Sequence, residues 1–173
     1  MTGKIIAIEG TDCSGKETQA KLLVERLKKE GYSAVYISFP DYNSPTGKIV
    51  GGPYLGKEEI CSSWFSEGVK NVDPKIASLY YAADRLYHKA EILDYVSQGN
   101  VVILDRYVES NMAFQGGKLF EVKQREEMYA WIEKLEYGLL ELPKPDEIIF
   151  LYMPYEYACM LKKNRSSLDE HEK

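Results

Sequence analysis

The sequence predicts an α/β domain with a doubly wound parallel sheet flanked by helices, and three observations carry that prediction. Four short runs are apolar and β-branched on consecutive residues, helical patterns lie between them, and a glycine-rich turn ends the first run and opens the first helix. Strands without period-2 alternation are those buried on both faces of a parallel sheet. Strand-helix alternation supplies the right-handed crossovers that such a sheet needs.

The first strand is read over Lys4 to Glu9. Ala20, Leu23, Val24 and Leu27 then recur at i, i+3, i+4 and i+7, which predicts a helix of about 15 residues stopping at Gly31. The second strand spans Ser33 to Phe39. From Ser38 to Val72 the chain is rich in Gly, Pro, Ser and Asn, and this stretch is expected to form a mobile lobe over the sheet edge. Asp73 as N-cap and Pro74 at the first helical position open a long helix that runs through Ile76, Leu79, Tyr80 and Ala83 toward Gly99. The third strand covers Val101 to Asp105. Met128, Ile132, Leu135 and Leu139 seed another helix that ends before Pro143-Lys144-Pro145, and the fourth strand covers Glu147 to Met153. One amphipathic stretch follows to about Lys163. A domain of this class usually closes with a further helix and strand, so C-terminal structure is expected to be missing from this sequence.

At 173 residues and 45% hydrophobic content the chain suits one domain with a buried core, which excludes a disordered chain or a mini-protein scaffold. No repeat, low-complexity tract or linker composition divides residues 1–173. Twenty-two Lys plus Arg against 27 Asp plus Glu leave a net charge of −5, which excludes a broad nucleic-acid footprint and makes any anion site local. No apolar run approaches the roughly 18–20 residues that span a bilayer, and no signal segment opens the chain, so a cytoplasmic protein is expected. Cys13, Cys61 and Cys159 show no CxxC or Cys/His spacing, which argues against a disulfide frame or a zinc site.

Chemistry concentrates in two places. Gly10-Thr11-Asp12-Cys13-Ser14-Gly15-Lys16 is a GxxxxGK sequence between a strand and a helix. There the glycines let the backbone bend around phosphates, successive N–H groups face the anion, and Lys16 reaches the β/γ-phosphates. A Gly-rich turn that binds nothing is the alternative. Glu17 stands where Ser or Thr would ligate Mg²⁺, and Thr18 is one residue out of register for that role. The second place is Val101-Val102-Ile103-Leu104-Asp105-Arg106-Tyr107, where a buried strand delivers an acid at its carboxyl end, the ligand edge of an open α/β sheet. Asp105 would hold Mg²⁺ and Arg106 would clamp a phosphate with its planar fork, although an Asp-Arg pair at a strand end is often only a surface ion pair.

These motifs, with Glu9-Gly10-x-Asp12 through Gln19, Phe39-Pro40, Leu79-Tyr80-Tyr81-Ala82-Ala83-Asp84-Arg85, Ser110-Asn111-x-Ala113-Phe114-Gln115 and Pro143-Lys144-Pro145-Asp146, resemble the thymidylate kinase family over nearly the whole chain. The resemblance implies a P-loop kinase fold and γ-phosphate transfer from ATP to dTMP, giving dTDP for dTTP synthesis. It also implies Mg²⁺ dependence, a mobile lid and a homodimer. Lys16 and the Gly10 to Thr18 segment would then hold ATP, with an acceptor lobe over about 38–98. Asp12 would accept a hydrogen bond from the dTMP 3′-hydroxyl, and Tyr42 and Arg106 would touch the acceptor phosphate beside Phe39. Asn111, Phe114 and Gln115 would line the sugar and base.

Tyr81 and Arg85, one turn apart on a helix, suit a base that stacks on the first and is hydrogen-bonded at its edge by the second. The other reading is a core aromatic beside a solvated arginine. Asp41 replaces an Arg common after Phe39-Pro40, and Cys13 replaces an Arg that some relatives carry in the phosphate loop. Relatives without that Arg use a basic lid residue. Lys162, Lys163 and above all Arg165 are candidates for a lid starting at about 162–173, against a plain charged helix end. His88 is read as a packing histidine. Two other functions remain open from the sequence alone: a P-loop kinase for a different nucleotide or nucleoside acceptor, and a nucleotide-binding protein with little catalysis.

Overall fold

The computed structural model describes residues 3–163. They form two compact units. The first contains the described residues up to Ser38, His88–Tyr107 and those from Pro143 onward, and the second contains Phe39–Tyr87 and Val108–Leu142.

The first unit is built on four parallel strands, β1 (Lys4–Gly10), β2 (Ala34–Ser38), β3 (Val101–Asp105) and β4 (Glu147–Leu151), in the order β2-β3-β1-β4. Register sets Asp105 opposite Ile8 on one side and Ser38 on the other, so the carboxyl ends of β2 and β3 lie level while β1 runs past them to Gly10. Helix α1 (Lys16–Lys29) follows β1 directly and buries Ala20 and Val24 against Ile8, Ala34 and Ile103. Burying each of the larger side chains contributes about 1.5–3 kcal/mol, and this contact anchors the turn between β1 and α1. Helix α6 (Tyr155–Lys163) follows β4.

Strand β4 departs from the expectation of burial on both faces. It is an edge strand, and Ile148, Ile149 and Phe150 are all exposed, so the described residues cover neither of its faces. Apolarity in its sequence therefore reports a capacity for burial that these residues do not meet.

The second unit contains α2 (Pro45–Ile49), the first half of α3 (Pro74–Ser97), α4 (Val108–Gly116) and α5 (Val122–Glu133). Its core is Val50, Tyr54, Leu55, Val69, Val72 and Ala77, with Tyr42, Phe65, Tyr80 and Tyr81 packed around them. The Tyr54 ring lies 5.8–5.9 Å from those of Phe65, Tyr80 and Tyr81. Aromatic pairs of this kind are worth about 0.5–1.5 kcal/mol beyond their buried area. The segment from Ser38 to Val72, read from its Gly, Pro, Ser and Asn content as a mobile lobe, thus carries most of one hydrophobic core. Lys118 ties it further by donating from Nζ to the carbonyls of Val69 (3.0 Å) and Val72 (3.1 Å) and to the Tyr54 hydroxyl (3.2 Å).

Asp73 caps α3 as the sequence predicts, accepting from the backbone N–H of Lys75 at 2.8 Å. The helix seeded by Met128 and Ile132 ends differently. Past Glu133 it widens over Lys134–Leu139, where the Leu140 N–H bonds to the carbonyl of Leu135, five residues back. Helix α4 has little periodicity of its own and was not predicted.

Candidate active site

In the first unit, the loop between β1 and α1 needs two glycines for different reasons. Gly10 has φ 152°, and a Cβ there would lie 2.5 Å from the Leu151 carbonyl oxygen. Gly15, with φ 83°, precedes α1 in a left-handed conformation that side chains disfavour. The loop therefore turns back over the sheet end and aims the first N–H groups of α1 out of the helix, as an anion cradle requires. Lys16 folds back over it, donating from Nζ to the Thr11 carbonyl at 2.6 Å and to Ser14 Oγ at 3.5 Å. Burial, helped by the nearby Arg106 cation, pushes its ammonium down to about 8, against the pull of Asp12, Asp105 and Glu9. Its two recorded partners are both neutral oxygens, and phosphate oxygens would suit it better.

Asp105, at the end of β3, is buried, and the loss of water raises its pKa. Tyr36 on the neighbouring strand donates its hydroxyl to Oδ2 at 3.0 Å, and burial beside that carboxylate raises the tyrosine pKa in turn. Arg106 follows in a left-handed conformation, φ 67°, and its Nη2 is bonded to Asp12 Oδ1 in the phosphate loop. Buried Glu9 accepts the Tyr107 backbone N–H at 2.7 Å, and the Tyr107 hydroxyl donates to the Pro143 carbonyl at 3.0 Å. One compact array thus joins Lys16, Asp12, Asp105 and Arg106. Glu17 is paired with Lys21 and largely exposed, although its charge still reaches Asp105 and Tyr36. Among the described residues no group of three His, Cys, Asp or Glu is placed to hold a metal.

In the second unit, Arg85 is not solvated. It is 2% exposed, and its Nε and Nη2 grip the two carboxylate oxygens of Glu136, which is 0% exposed. Glu136 Oε1 also accepts from Asn111 Nδ2 at 2.8 Å. Tyr81 packs edge-on to Tyr54 and is half-buried, while Phe114 remains partly exposed. Asn111 and Gln115 are buried, and neither Asn111 Oδ1 nor the amide atoms of Gln115 have a hydrogen-bond partner among the described residues. Unmet buried amides mark a polar surface prepared for a partner that is not part of the chain. Phe39 is buried, and Tyr42 packs against the core of the second unit with the Lys57 ammonium 4.5 Å from its ring centroid. His88 is buried in the first unit with Nδ1 3.0 Å from Glu91.

The structure brings together Gly10 to Lys16, Asp105 and Arg106 in one unit, and Arg85 with Asn111 in the other. Arg165, and with it the stretch from residue 164 onward on which the expected lid falls, lies outside the described residues. Two residues were not singled out from sequence. Asp84 accepts from the Asp41 N–H (2.9 Å), Ser44 Oγ (2.8 Å) and Thr46 Oγ1 (2.8 Å). Glu136 holds Arg85 and Asn111. The signal for Glu136 was present, because it occupies the i+4 position after Met128 and Ile132, where an apolar residue belongs.

The thymidylate kinase family model matches residues 8–173. A thymidylate kinase of Plasmodium falciparum is 33% identical over 168 residues, covering 97% of this chain and 68% of that protein. A probable thymidylate kinase of Pyrococcus horikoshii is 33% identical over 174 residues, covering 100% of this chain and 76% of that protein. A solved thymidylate kinase structure from Candida albicans superposes with a TM-score of 0.73 at 28% identity, covering 99% of this chain and 72% of that one. A family match over nearly all of the sequence, on a parallel sheet whose first strand and first helix are joined by the GxxxxGK turn, means that the chain belongs to the thymidylate kinase family.

Proposed function

We propose that this protein transfers the γ-phosphoryl group of ATP to dTMP, giving ADP and dTDP. The observation that carries the reading is the array at the ends of β1 and β3, where a buried, anion-seeking Lys16 shares a loop with Asp12 and lies in the field of Asp105 and Arg106. Phosphoryl transfer needs positioning and charge neutralisation more than a strong base, and these groups supply both. Lys16 and the Gly10 to Thr18 backbone hold the ATP phosphates. Arg106 exchanges Asp12 for an acceptor phosphate, and Asp12 is then free to take the 3′-hydroxyl. In the second unit Tyr81, Arg85, Asn111, Phe114 and Gln115 receive the nucleoside, and Tyr42 lies by its phosphate. Both units serve as one kinase domain.

Mg²⁺ fits the donor set. A single hard carboxylate, Asp105, buried at the strand end with one oxygen already bound by Tyr36, suits an ion that keeps waters and phosphate oxygens as its other ligands. When bound, the ion would neutralise the β- and γ-phosphate oxygens.

A homodimer is part of the same reading. Ile76, Leu79, Ala83, Leu86, Ala90 and Leu93 are exposed and follow alternating spacings of three and four along α3, the pattern of a helix-pairing seam. No helix among the described residues is long and apolar enough to cross a membrane. An acceptor panel tests the reaction: ADP release should follow dTMP at or above dUMP, and well above dCMP and UMP. ADP release that ignores the acceptor, or binding without turnover, overturns it.

A further inference from the structure

Asn111 is held by acceptors alone. Its Nδ2 donates to Glu136 Oε1 at 2.8 Å and to the Ser78 carbonyl at 3.4 Å. A carboxylate paired to arginine and a backbone carbonyl can only accept, so the amide nitrogen must face them both. That leaves Oδ1 on the other side, buried and without a hydrogen-bond partner among the described residues. The same carboxylate takes Nε and Nη2 of Arg85, fixing the plane of the guanidinium. One side chain, reached through the widened turn after α5, therefore sets the polarity of Asn111 and the plane of Arg85 on two other helices.

We propose that Glu136 is a positioning residue that sets the choice of pyrimidine, by orienting Asn111 Oδ1 as an acceptor beside the Arg85 donor. The inference rests on the dTMP reading above. Thymine and uracil present an N3–H donor next to the O4 acceptor, and an acceptor-plus-donor pair on the protein matches both. Cytosine presents the reverse at both atoms, an N3 acceptor and an amino group, and leaves each protein group facing its own kind. Glu136→Gln changes the logic without changing the shape. It replaces one of the two acceptor oxygens by an N–H donor that must face either a guanidinium N–H of Arg85 or the Asn111 amide nitrogen, so Asn111 is no longer held with Oδ1 toward the base.

The test is acceptor competition in purified full-length chain. Wild type should favour dTMP over dCMP in kcat/KM, and Glu136→Gln should reduce that ratio on the order of tenfold or more. The reduction should disappear when Glu136→Gln is made in an Asn111→Ala background, because the effect runs through Asn111. A residue that only braces the fold would lower turnover with both acceptors and leave the ratio alone. The unmodified protein gives an independent check that needs no variant to fold: dTMP methylated at N3 has lost the donor and should fall on the order of tenfold in kcat/KM. Wild-type dTMP turnover with an unchanged ratio in Glu136→Gln, or equal use of the N3-methylated acceptor, overturns the role of Glu136 and leaves the kinase reading intact. Absence of dTMP-dependent ADP release from wild type overturns both.

Discussion

Lys16 shows how much one side chain's surroundings decide. Its ammonium is buried against a carbonyl, with a guanidinium near enough to lower its pKa, and it sits at about 8 where a free lysine is at 10.5. The sign for stability follows directly. Between about pH 8 and 10.5 the folded residue has lost a proton that the unfolded one keeps, so this group makes stability rise with pH in that window. Lys118, also pushed to about 8 by burial, acts in the same direction. On the proposed role of Lys16 catalysis runs the other way, because only a protonated amine neutralises phosphate. kcat/KM for ATP should fall as pH rises through about 8, while kcat at saturating ATP should fall at higher pH, since bound phosphates restore the proton's affinity. Lys16→Ala should lose about 10²–10³ in turnover, the usual cost of one preorganised charge contact, with its melting temperature maintained. Unchanged turnover in steady-state assays would remove the phosphate loop from the mechanism.

At the scale of elements, the second unit depends on carboxylates that brace loops against helices. Asp84 on α3 collects three donors from the 41–46 segment, including the Asp41 N–H next to Tyr42 and the hydroxyl of Ser44, which caps α2. Asp84→Ala strands those donors. At about 1 kcal/mol or more for each, partly relieved by water, the expected loss is about 2–4 kcal/mol in urea denaturation, with a raised KM for dTMP and a smaller change in kcat. An unchanged KM would mean that the 41–46 segment has no part in acceptor binding. Elements of this molecule were legible in sequence where one local rule sufficed: β1 and β3 from unbroken apolar runs, the start of α3 from Asp73-Pro74, and the turn between β1 and α1 from its glycine spacing. They were illegible where long-range pairing decided. The solvated reading of Arg85 fails only because Glu136, 51 residues on, arrives through a turn widened beyond the α-helical period. The core of the 39–72 segment hides because Gly51, Gly52 and Pro53 break any periodicity around Val50 and Tyr54.

For the whole molecule, α3 is the element on which the proposed dimer seam and the proposed acceptor site would meet. One face carries Ser78, Ala82, Arg85 and Ile92, all buried, and among them is the arginine held by Glu136. The opposite face exposes Ile76, Leu79, Leu86 and Leu93, with Ala83 and Ala90 between them small enough to let a second helix approach closely. Burying an exposed leucine is worth about 1.5–3 kcal/mol, so a pair of such helices, each supplying three leucines, has ample driving force for association. A carboxylate in the middle of that seam would have to be desolvated without a counter-ion, which reverses the balance. Leu86→Asp is therefore expected to convert a dimer into a monomer in sedimentation equilibrium, with the helical circular-dichroism signal retained because the site is already solvated within one chain. Release of α3 from its partner should also loosen Arg85, so the monomer should show a raised KM for dTMP while its KM for ATP, governed by the β1–α1 loop, stays near the wild-type value. A wild-type chain that sediments as a monomer, or a Leu86→Asp chain that remains dimeric, would move the interface off this helix.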